Sequence, residues 1–364
     1  RWMFDSQDRA NPYSGMGNHG LSVNDVDFDG RDEIVYGAMV VDDNGTGLFT
    51  TGLRHGDALH VSNFDPSTPD LEVWGIHENE VDVPGYLDGP GVALYNGKTG
   101  AVLWGGDYGR DVGRGMAADI DPRHPGAEVW GGSAEIGLRT IRGERIGIAP
   151  ASTNFGIWWD GDLLRELLDG TNIDKWDYLG SQANRLLAGS AFGAASNNGT
   201  KATPCLSADL LGDWREEVIW RNGNNQELMI FTTTIPTRYR FTTLMQDPAY
   251  RLAIAWQNVG YNQPPHPSFY LGEGMAKAAR RPVGSLSDGP GGGEVAVYPN
   301  PAAGSFRIKA GGAFTYQVLD ALGREVENGS GRGECAAGRG LAAGLYSVQV
   351  CAEGGSRVLK VTKQ

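Results

Sequence analysis

The run Asp25-Val26-Asp27-Phe28-Asp29-Gly30-Arg31-Asp32-Glu33-Ile34 sets three alternating aspartates and a glycine before a glutamate-led apolar strand. Looser copies end in Glu72-Val73, Glu128-Val129, Glu166-Leu167 and Glu217-Val218. An acidic or amide cluster precedes each: Asn63 and Asp65, Asp119 and Asp121, Asp160 and Asp162, Asp209 and Asp213. The glutamates are spaced by 39, 56, 38 and 51 residues. Self-similarity at such a period marks a repeat fold, and about 40–50 residues is the length of a four-stranded propeller blade.

Composition agrees with an all-β reading. Among 364 residues there are 55 Gly, 10 Trp and 13 Tyr, while charged residues make up 21%. That mixture suits short strands joined by tight turns. No long stretch has helical apolar periodicity, and no apolar run is long enough to span a membrane. The net charge of −13 repels nucleic acid and anionic lipid, so neither is expected as a partner. Three cysteines make no disulfide framework; Cys335 and Cys351 lie close enough in sequence to pair, and Cys205 stands alone. The chain opens on Arg1-Trp2-Met3-Phe4, which reads as the inside of a domain. An N-terminally truncated propeller is therefore expected.

Residues 1–275 carry the repeats. Ala93-Leu94-Tyr95, the Asn96-Gly97 turn and Val102-Leu103-Trp104 read as a hairpin. Residues 276–293 include Asp288-Gly289-Pro290-Gly291-Gly292-Gly293, cannot pack a core, and read as a linker. Residues 294–364 alternate apolar strands with Gly turns and predict a small β-sandwich. Within them, Pro299-Asn300-Pro301, Asp320-Ala321-Leu322-Gly323-Arg324 and Leu341-Ala342-Ala343-Gly344-Leu345-Tyr346 closely resemble the C-terminal sorting domain of type IX secretion substrates. The resemblance implies the type IX machinery as a partner. It also implies a location outside the cell or on the surface of a Gram-negative bacterium.

Asp25, Asp27, Asp29 and Glu33 have the spacing of a Ca²⁺ loop: alternate oxygens converge, Gly30 allows the sharp turn, and a later carboxylate closes the shell. Such an ion would brace a sheet corner, though many Asp-Gly pairs simply form turns. Four of the six histidines, His19, His55, His60 and His77, fall within 60 residues beside glycines or carboxylates. Most such histidines are structural, but this grouping can line a common cleft and hold a metal.

Further along, Arg110 and Arg114 lie on a glycine-rich turn, Lys201 follows Asn198-Gly199-Thr200, and Tyr261 opens a proline-rich loop. Arginine grips carboxylates, lysine can act as a base, and tyrosine stacks on a ring or passes a proton. Together these suit an anionic sugar. Singly, each is a common solvated side chain.

Several long runs closely resemble the rhamnogalacturonan lyases of polysaccharide lyase family eleven. They are His55 to His60, Asp111 to Pro122, Trp158 to Leu167, Asn198 to Lys201 and Ala255 to Pro267. The resemblance implies an eight-bladed β-propeller with several Ca²⁺ ions. Eight blades need roughly 370 residues, so about five to six are expected here, and such a fragment alone is expected to be poorly soluble or inactive.

By the resemblance, the enzyme cleaves the rhamnose–galacturonate backbone bond of the pectic polysaccharide rhamnogalacturonan I by β-elimination. It implies Ca²⁺ at His19, His55, Asp57 and Glu78, and Lys201, Arg114 and Tyr261 as catalytic residues. Lys201 is preferred as base because arginine gives up its proton very reluctantly. Asn198, Gly199, Thr200 and Arg110 are expected to bind substrate, and the protein is expected to be a monomer. The rival is a non-catalytic, calcium-binding propeller that binds carbohydrate or protein at the cell surface. A glycoside hydrolase, with a carboxylate acid and base, is a third class. Residues 81–91 are one place for a loop that shapes the cleft.

Overall fold

The computed structural model describes residues 2–6, 11–79, 89–259, 261, 263–275, 295–320, 324–352 and 355–364. The expected linker at 276–293, most of the loop at 81–91 and residues 321–323 lie outside them. The chain forms two compact units, Arg1–Lys277 and Ala278–Gln364.

The described part of the first unit contains five antiparallel four-stranded sheets. Sheet 1 holds β1 (Ser22–Asn24), β2 (Glu33–Val35), β3 (Met39–Val41) and β4 (Gly47–Thr50). Sheet 2 holds β5 (Ala58–Ser62), β6 (Glu72–Ile76), β7 (Pro90–Asn96) and β8 (Val102–Tyr108). Sheet 3 holds β9 (Gly115–Ala118), β10 (Glu128–Gly131), β11 (Leu138–Thr140) and β12 (Arg145–Gly147). Sheet 4 holds β13 (Phe155–Ile157), β14 (Glu166–Asp169), β15 (Asn172–Asp177) and β16 (Gln182–Ala188). In sheet 5, β17 (Ala194–Ala195), β18 (Leu206–Ala208) and β20 (Leu228–Phe231) all pair with β19 (Glu217–Asn222).

Each sheet packs on the next, and sheets 2 to 4 do so on both faces, which is why their inner strands read as apolar runs. Val35 and Val40 of sheet 1 pack on Leu59, Val61 and Tyr95 of sheet 2. Trp74 and Leu94 continue into Ala117 and Val129 of sheet 3, Met116 and Trp130 into Leu167 and Trp176 of sheet 4, and Phe155 and Leu168 into Val218 and Trp220 of sheet 5. The first strands follow suit: β1 lies against β5, β5 against β9, and β9 against β13.

The repeated glutamates stand at these corners. Each opens a strand just after a corner, the second strand of sheets 1 to 4 and β19 of sheet 5, is buried, and faces the last residue of the strand before it, as in Asn24↔Glu33, Ala118↔Glu128 and Ala208↔Glu217. Glu128 Oε2 accepts from the Ile120 and Asp121 amides, both at 2.9 Å. Glu72, Glu166 and Glu217 accept from two corner amides in the same way, and Glu33 accepts from Val26 at 2.9 Å. The carboxylate thus satisfies turn N–H groups that the ladder leaves without a partner. That use of the corner glutamate accounts for the repeat.

Contrary to the expectation from periodicity, the unit contains an α-helix, α1 (Pro248–Trp256). Its start is legible in hindsight: Asp247 caps it through the Ala249 amide, and Pro248 takes the first turn. Helix α1 contacts both β18 and β1, and the chain after it runs past the first strands. Ser62 Oγ donates to Pro267 O at 2.6 Å, and Tyr270 Oη to Asp119 Oδ2 at 2.7 Å.

The second unit is all-β. Its described strands β21 (Ala296–Tyr298), β22 (Phe306–Leu319), β23 (Glu325–Ala337), β24 (Gly344–Ala352) and β25 (Gly355–Lys363) form one antiparallel sheet. The 14-residue β22 shifts register between Lys309 and Ala313, pairing with β21 before the shift and with β24 after it. A bulge lets one long strand change partners, so that both parts of the unit share β22. Its core joins Phe306 and Ile308 to Phe314, Val318, Val348 and Val361. Cys335 pairs opposite Ile308 and Cys351 opposite Thr315, on the two strands flanking β22, and both are free thiols. Their closeness in sequence does not pair them, because β22 runs between the two strands that carry them.

Candidate active site

The turns that lead into the first strands bring the sequence-predicted side chains to one place. His19 precedes β1, His55 and Asp57 precede β5, Glu78 follows β6, and Arg114 immediately precedes β9. Single ligand atoms of His19, His55, Asp57 and Glu78 all lie within 4.8 Å of one another. His19 Nε2 is 3.4 Å from Asp57 Oδ1, and His55 Nε2 is 3.8 Å from Glu78 Oε1. Burial, then the neighbouring Asp57, raises the Glu78 carboxyl above its usual range.

This group fits a metal ion. His55 Nδ1 donates to the Gly17 carbonyl at 2.6 Å, which leaves Nε2 as the lone-pair atom facing the carboxylates. That is the arrangement of a ligating histidine. Asp57 Oδ1 is buried without a hydrogen-bond partner, as a cation ligand would be. The other two histidines of the sequence cluster sit apart: His60 bonds Gly115 and His266, and His77 bonds Arg54. Burial drives both below the normal imidazole value, His60 to about 3 and His77 to about 4.

Tyr261 adjoins the metal group. Its ring stacks on His19 with centroids 4.1 Å apart. Lys201 Nζ lies 3.5 Å from the Tyr261 centroid, and Arg114 Cζ 5.7 Å from it. Burial lowers the Arg114 guanidinium to about 10, with Asp57, Tyr261 and Asp169 opposing that fall. His19 is lowered too, first by burial, and then by His55, Lys201 and Arg114 against the pull of Asp57. Lys201 ends a short 3₁₀ turn, Gly199–Lys201, entered from Asn198 at φ 59°. Thr200 presents its carbonyl to Asn154 at 3.4 Å, and Asn154 also holds Asp169 at 2.9 Å.

Two expected residues are placed otherwise. Arg110 is turned to Asp107 at 3.1 Å and Glu135 at 2.8 Å. Those two carboxylates engage its guanidinium, while Arg114 is the arginine that faces Tyr261. Glu33 lies outside the three-carboxylate group of Asp25, Asp27 and Asp29; one of its oxygens accepts from Val26, and the other is buried without a hydrogen-bond partner. Among the described residues no ion pair involves those three aspartates, whereas the other corners carry internal cations. Arg142 meets Asp65, Arg123 meets Asp121, and Arg215 meets Asp213.

At the fourth corner, Lys175 Nζ sits 3.0 Å from Asp160, 2.6 Å from Asp162 and 2.6 Å from Glu166. The sequence analysis missed Lys175 and Asp169. Lys175 sits in a strand otherwise read by its apolar residues, and Asp169 is a lone acid at a strand end, so neither carried a local signal.

Residues 1–281 match the family model described as rhamnogalacturonan lyase family 11, C-terminal domain. The chain belongs to this rhamnogalacturonan lyase family. Residues 296–364 match the secretion system C-terminal sorting domain, which marks this family member for the secreted or cell-surface fraction. It is 56% identical over 278 residues to the rhamnogalacturonan endolyase YesW of Bacillus subtilis, covering 76% of this chain and 43% of that protein. It is 52% identical over 309 residues to the exolyase YesX of the same organism, covering 80% and 49%.

The solved structure of rhamnogalacturonan lyase YesW superposes with a TM-score of 0.70, covering 76% of this chain and 46% of that one. The Bacillus licheniformis rhamnogalacturonan lyase PL11 gives 0.70 at 59% identity, with the same coverage. This family member therefore spans less than half the length of the curated relatives it matches. Among its described residues, no helix is long and apolar enough to cross a membrane.

Proposed function

We propose that the protein cleaves rhamnogalacturonan I by β-elimination at the bond from rhamnose to O4 of galacturonate. The observation that carries this reading is the convergence of Lys201 and Arg114 on Tyr261, beside the His19, His55, Asp57 and Glu78 group. On this reading residues 1–275 are the lyase domain, 276–293 the linker and 294–364 the type IX sorting domain of a Gram-negative secreted protein. The five sheets belong to an eight-bladed propeller, and the protein works as a monomer.

The chemical difficulty is the C5 proton, which is barely acidic beside an ionised carboxylate. Ca²⁺ held by His19, His55, Asp57 and Glu78 would draw charge from that carboxylate. Lys201, as the neutral amine, takes the C5 proton on its lone pair and becomes the ammonium. The C–H pair becomes the C4–C5 double bond, and the C4–O4 pair leaves on the rhamnose oxygen, which takes a proton from Tyr261. Arg114 binds the uronate. It remains a cation at neutral pH even with its guanidinium lowered to about 10, which suits it to gripping a carboxylate. Asn198, Gly199 and Thr200 line the sugar's approach to Lys201. A second Ca²⁺ at Asp25, Asp27 and Asp29 braces a corner that lacks an internal cation.

The test is an assay of the complete gene product on rhamnogalacturonan I, with and without chelator. The expected outcome is an unsaturated uronate at the new chain end, lost with chelator and restored by Ca²⁺. Saturated products, or none, would overturn the reading.

A further inference from the structure

Behind the candidate active site, two buried imidazoles stand in series, and neither is a metal ligand. Arg165 Nη1 lies 3.2 Å from His266 Nδ1, His266 Nε2 lies 3.1 Å from His60 Nδ1, and His60 Nε2 lies 2.8 Å from the Gly115 carbonyl. Arg165 is itself held by Glu216 at 3.3 Å and by the Pro265 carbonyl at 2.9 Å, with Trp158 3.9 Å below its guanidinium.

The proton positions in this series are forced. A guanidinium only donates, so His266 Nδ1 must accept. A neutral His266 then carries its proton on Nε2 and donates to His60 Nδ1. That leaves the His60 proton on Nε2, where the Gly115 carbonyl accepts it. Protonating either ring would set two N–H groups against each other. The charges facing the rings are the guanidiniums of Arg165 and Arg114, and both oppose protonation.

The far end of the series is what matters for the site. Gly115 directly follows Arg114 and opens β9. A Cβ there would stand 2.4 Å from Ile76 Cδ1 and 2.6 Å from the Trp130 carbonyl, so the strand start is tightly seated. On the other side of Arg114, the Gly113 amide is held by Asp111 Oδ1 at 2.7 Å.

We propose that His60 and His266 are positioning residues: the series from Arg165 through both rings to Gly115 fixes the backbone from which Arg114 reaches Tyr261. It joins β5, the first residue of β9, the corner before β14 and the segment after Tyr261, so the loops bearing Arg114 and Tyr261 are registered to one another. Only the kinetic arm of the test rests on the lyase reading.

Two measurements decide this on the complete protein. Selective ¹⁵N labelling of histidine should show His60 and His266 as neutral Nε2–H tautomers that do not titrate between about pH 5 and 9. An Nδ1–H tautomer, or titration near the normal imidazole value, would overturn the proposal.

The second compares His60→Gln, whose side-chain amide can still donate to Gly115, with His60→Met, which fills the space without a donor. His60→Met should shift the Arg114 and Gly115 amide resonances and slow product formation by about 10- to 100-fold, while His60→Gln keeps both near the unsubstituted values. Equal behaviour of the two variants, or unmoved Arg114 resonances in His60→Met, would also overturn it. If the unsubstituted protein makes no unsaturated product, the lyase reading falls, and the amide resonances still decide the positioning role. If His60→Met does not fold, the tautomers of the unsubstituted protein decide it.

Discussion

The ammonium of Lys201 lies 3.5 Å from the centre of the Tyr261 ring, although 60 residues separate them in the chain. This contact ties the turn before β18 to the segment after α1. On the lyase reading, Lys201 as the neutral amine would be the proton acceptor and Tyr261 the proton donor. Replacing Lys201 by Ala should lower kcat by about 10²- to 10⁴-fold with KM little changed. Ultraviolet detection of the unsaturated product checks this, and an unchanged rate removes Lys201 as base.

Arg110 and Arg114 share one glycine-rich turn but face different partners. Arg110 is occupied by Asp107 and Glu135, while Arg114 faces Tyr261. Arg110→Ala should therefore change the lyase rate by less than about 3-fold, within what an exposed ion pair contributes. Arg114→Ala should cost about 100-fold or more. Reversed sensitivities would mean the sugar approaches from the other face of the turn.

Metal dependence should separate into two effects. At the Asp25, Asp27 and Asp29 corner, Ca²⁺ at about 100-fold excess over Kd should add about 3 kcal/mol of stability. Asp25→Asn should remove that increment in a thermal melt. Glu78→Gln should leave it in place and abolish lyase activity. If both variants lost the same property, the two clusters would not be distinct sites.

Lys175 fills the fourth corner with a tethered ammonium. Lys175→Met leaves three carboxylates around no cation, and should cost about 3–5 kcal/mol in urea unfolding. Added Ca²⁺ should recover part of the loss in this variant and have no such effect at that corner in the unsubstituted chain. Full stability of Lys175→Met without a cation would show that the corner does not need positive charge.

Asp119 supplies a pH signature. Burial raises its carboxyl from 3.8 to about 7, against the hydrogen bonds from Tyr270 and the Glu273 amide. A carboxyl raised in the folded state binds its proton more tightly there than in the unfolded chain. Its stabilisation is complete below the unfolded value and is lost as pH rises towards 7. Asp119→Asn should flatten the fall in stability between pH 3.8 and 7, followed by urea unfolding across that range. An unaltered slope would assign the effect to another group.

Much of this molecule was legible in the chain itself. The Glu repeat located one inner strand in each of the five sheets, because every sheet corner poses the same local problem of turn amides without partners. His19, His55, Asp57, Glu78, Lys201, Arg114 and Tyr261 stood out because each sits among glycines or acids in a recognisable run. Even the start of α1 was written as Asp247-Pro248, though too briefly for periodicity to register.

What the sequence could not convey was which side chains share a neighbour. Arg110 and Arg114 look alike on paper, and only the direction of the turn sends one to Glu135 and the other to Tyr261. Lys175, Arg165, His60 and His266 acquire roles through partners many residues away, since a buried charge or imidazole is defined by whatever desolvates it and bonds it. Local pattern is enough to specify strands and corners, whose hydrogen bonds close within a few residues. The site's chemistry depends on contacts across five sheets, and those exist only once the sheets have packed.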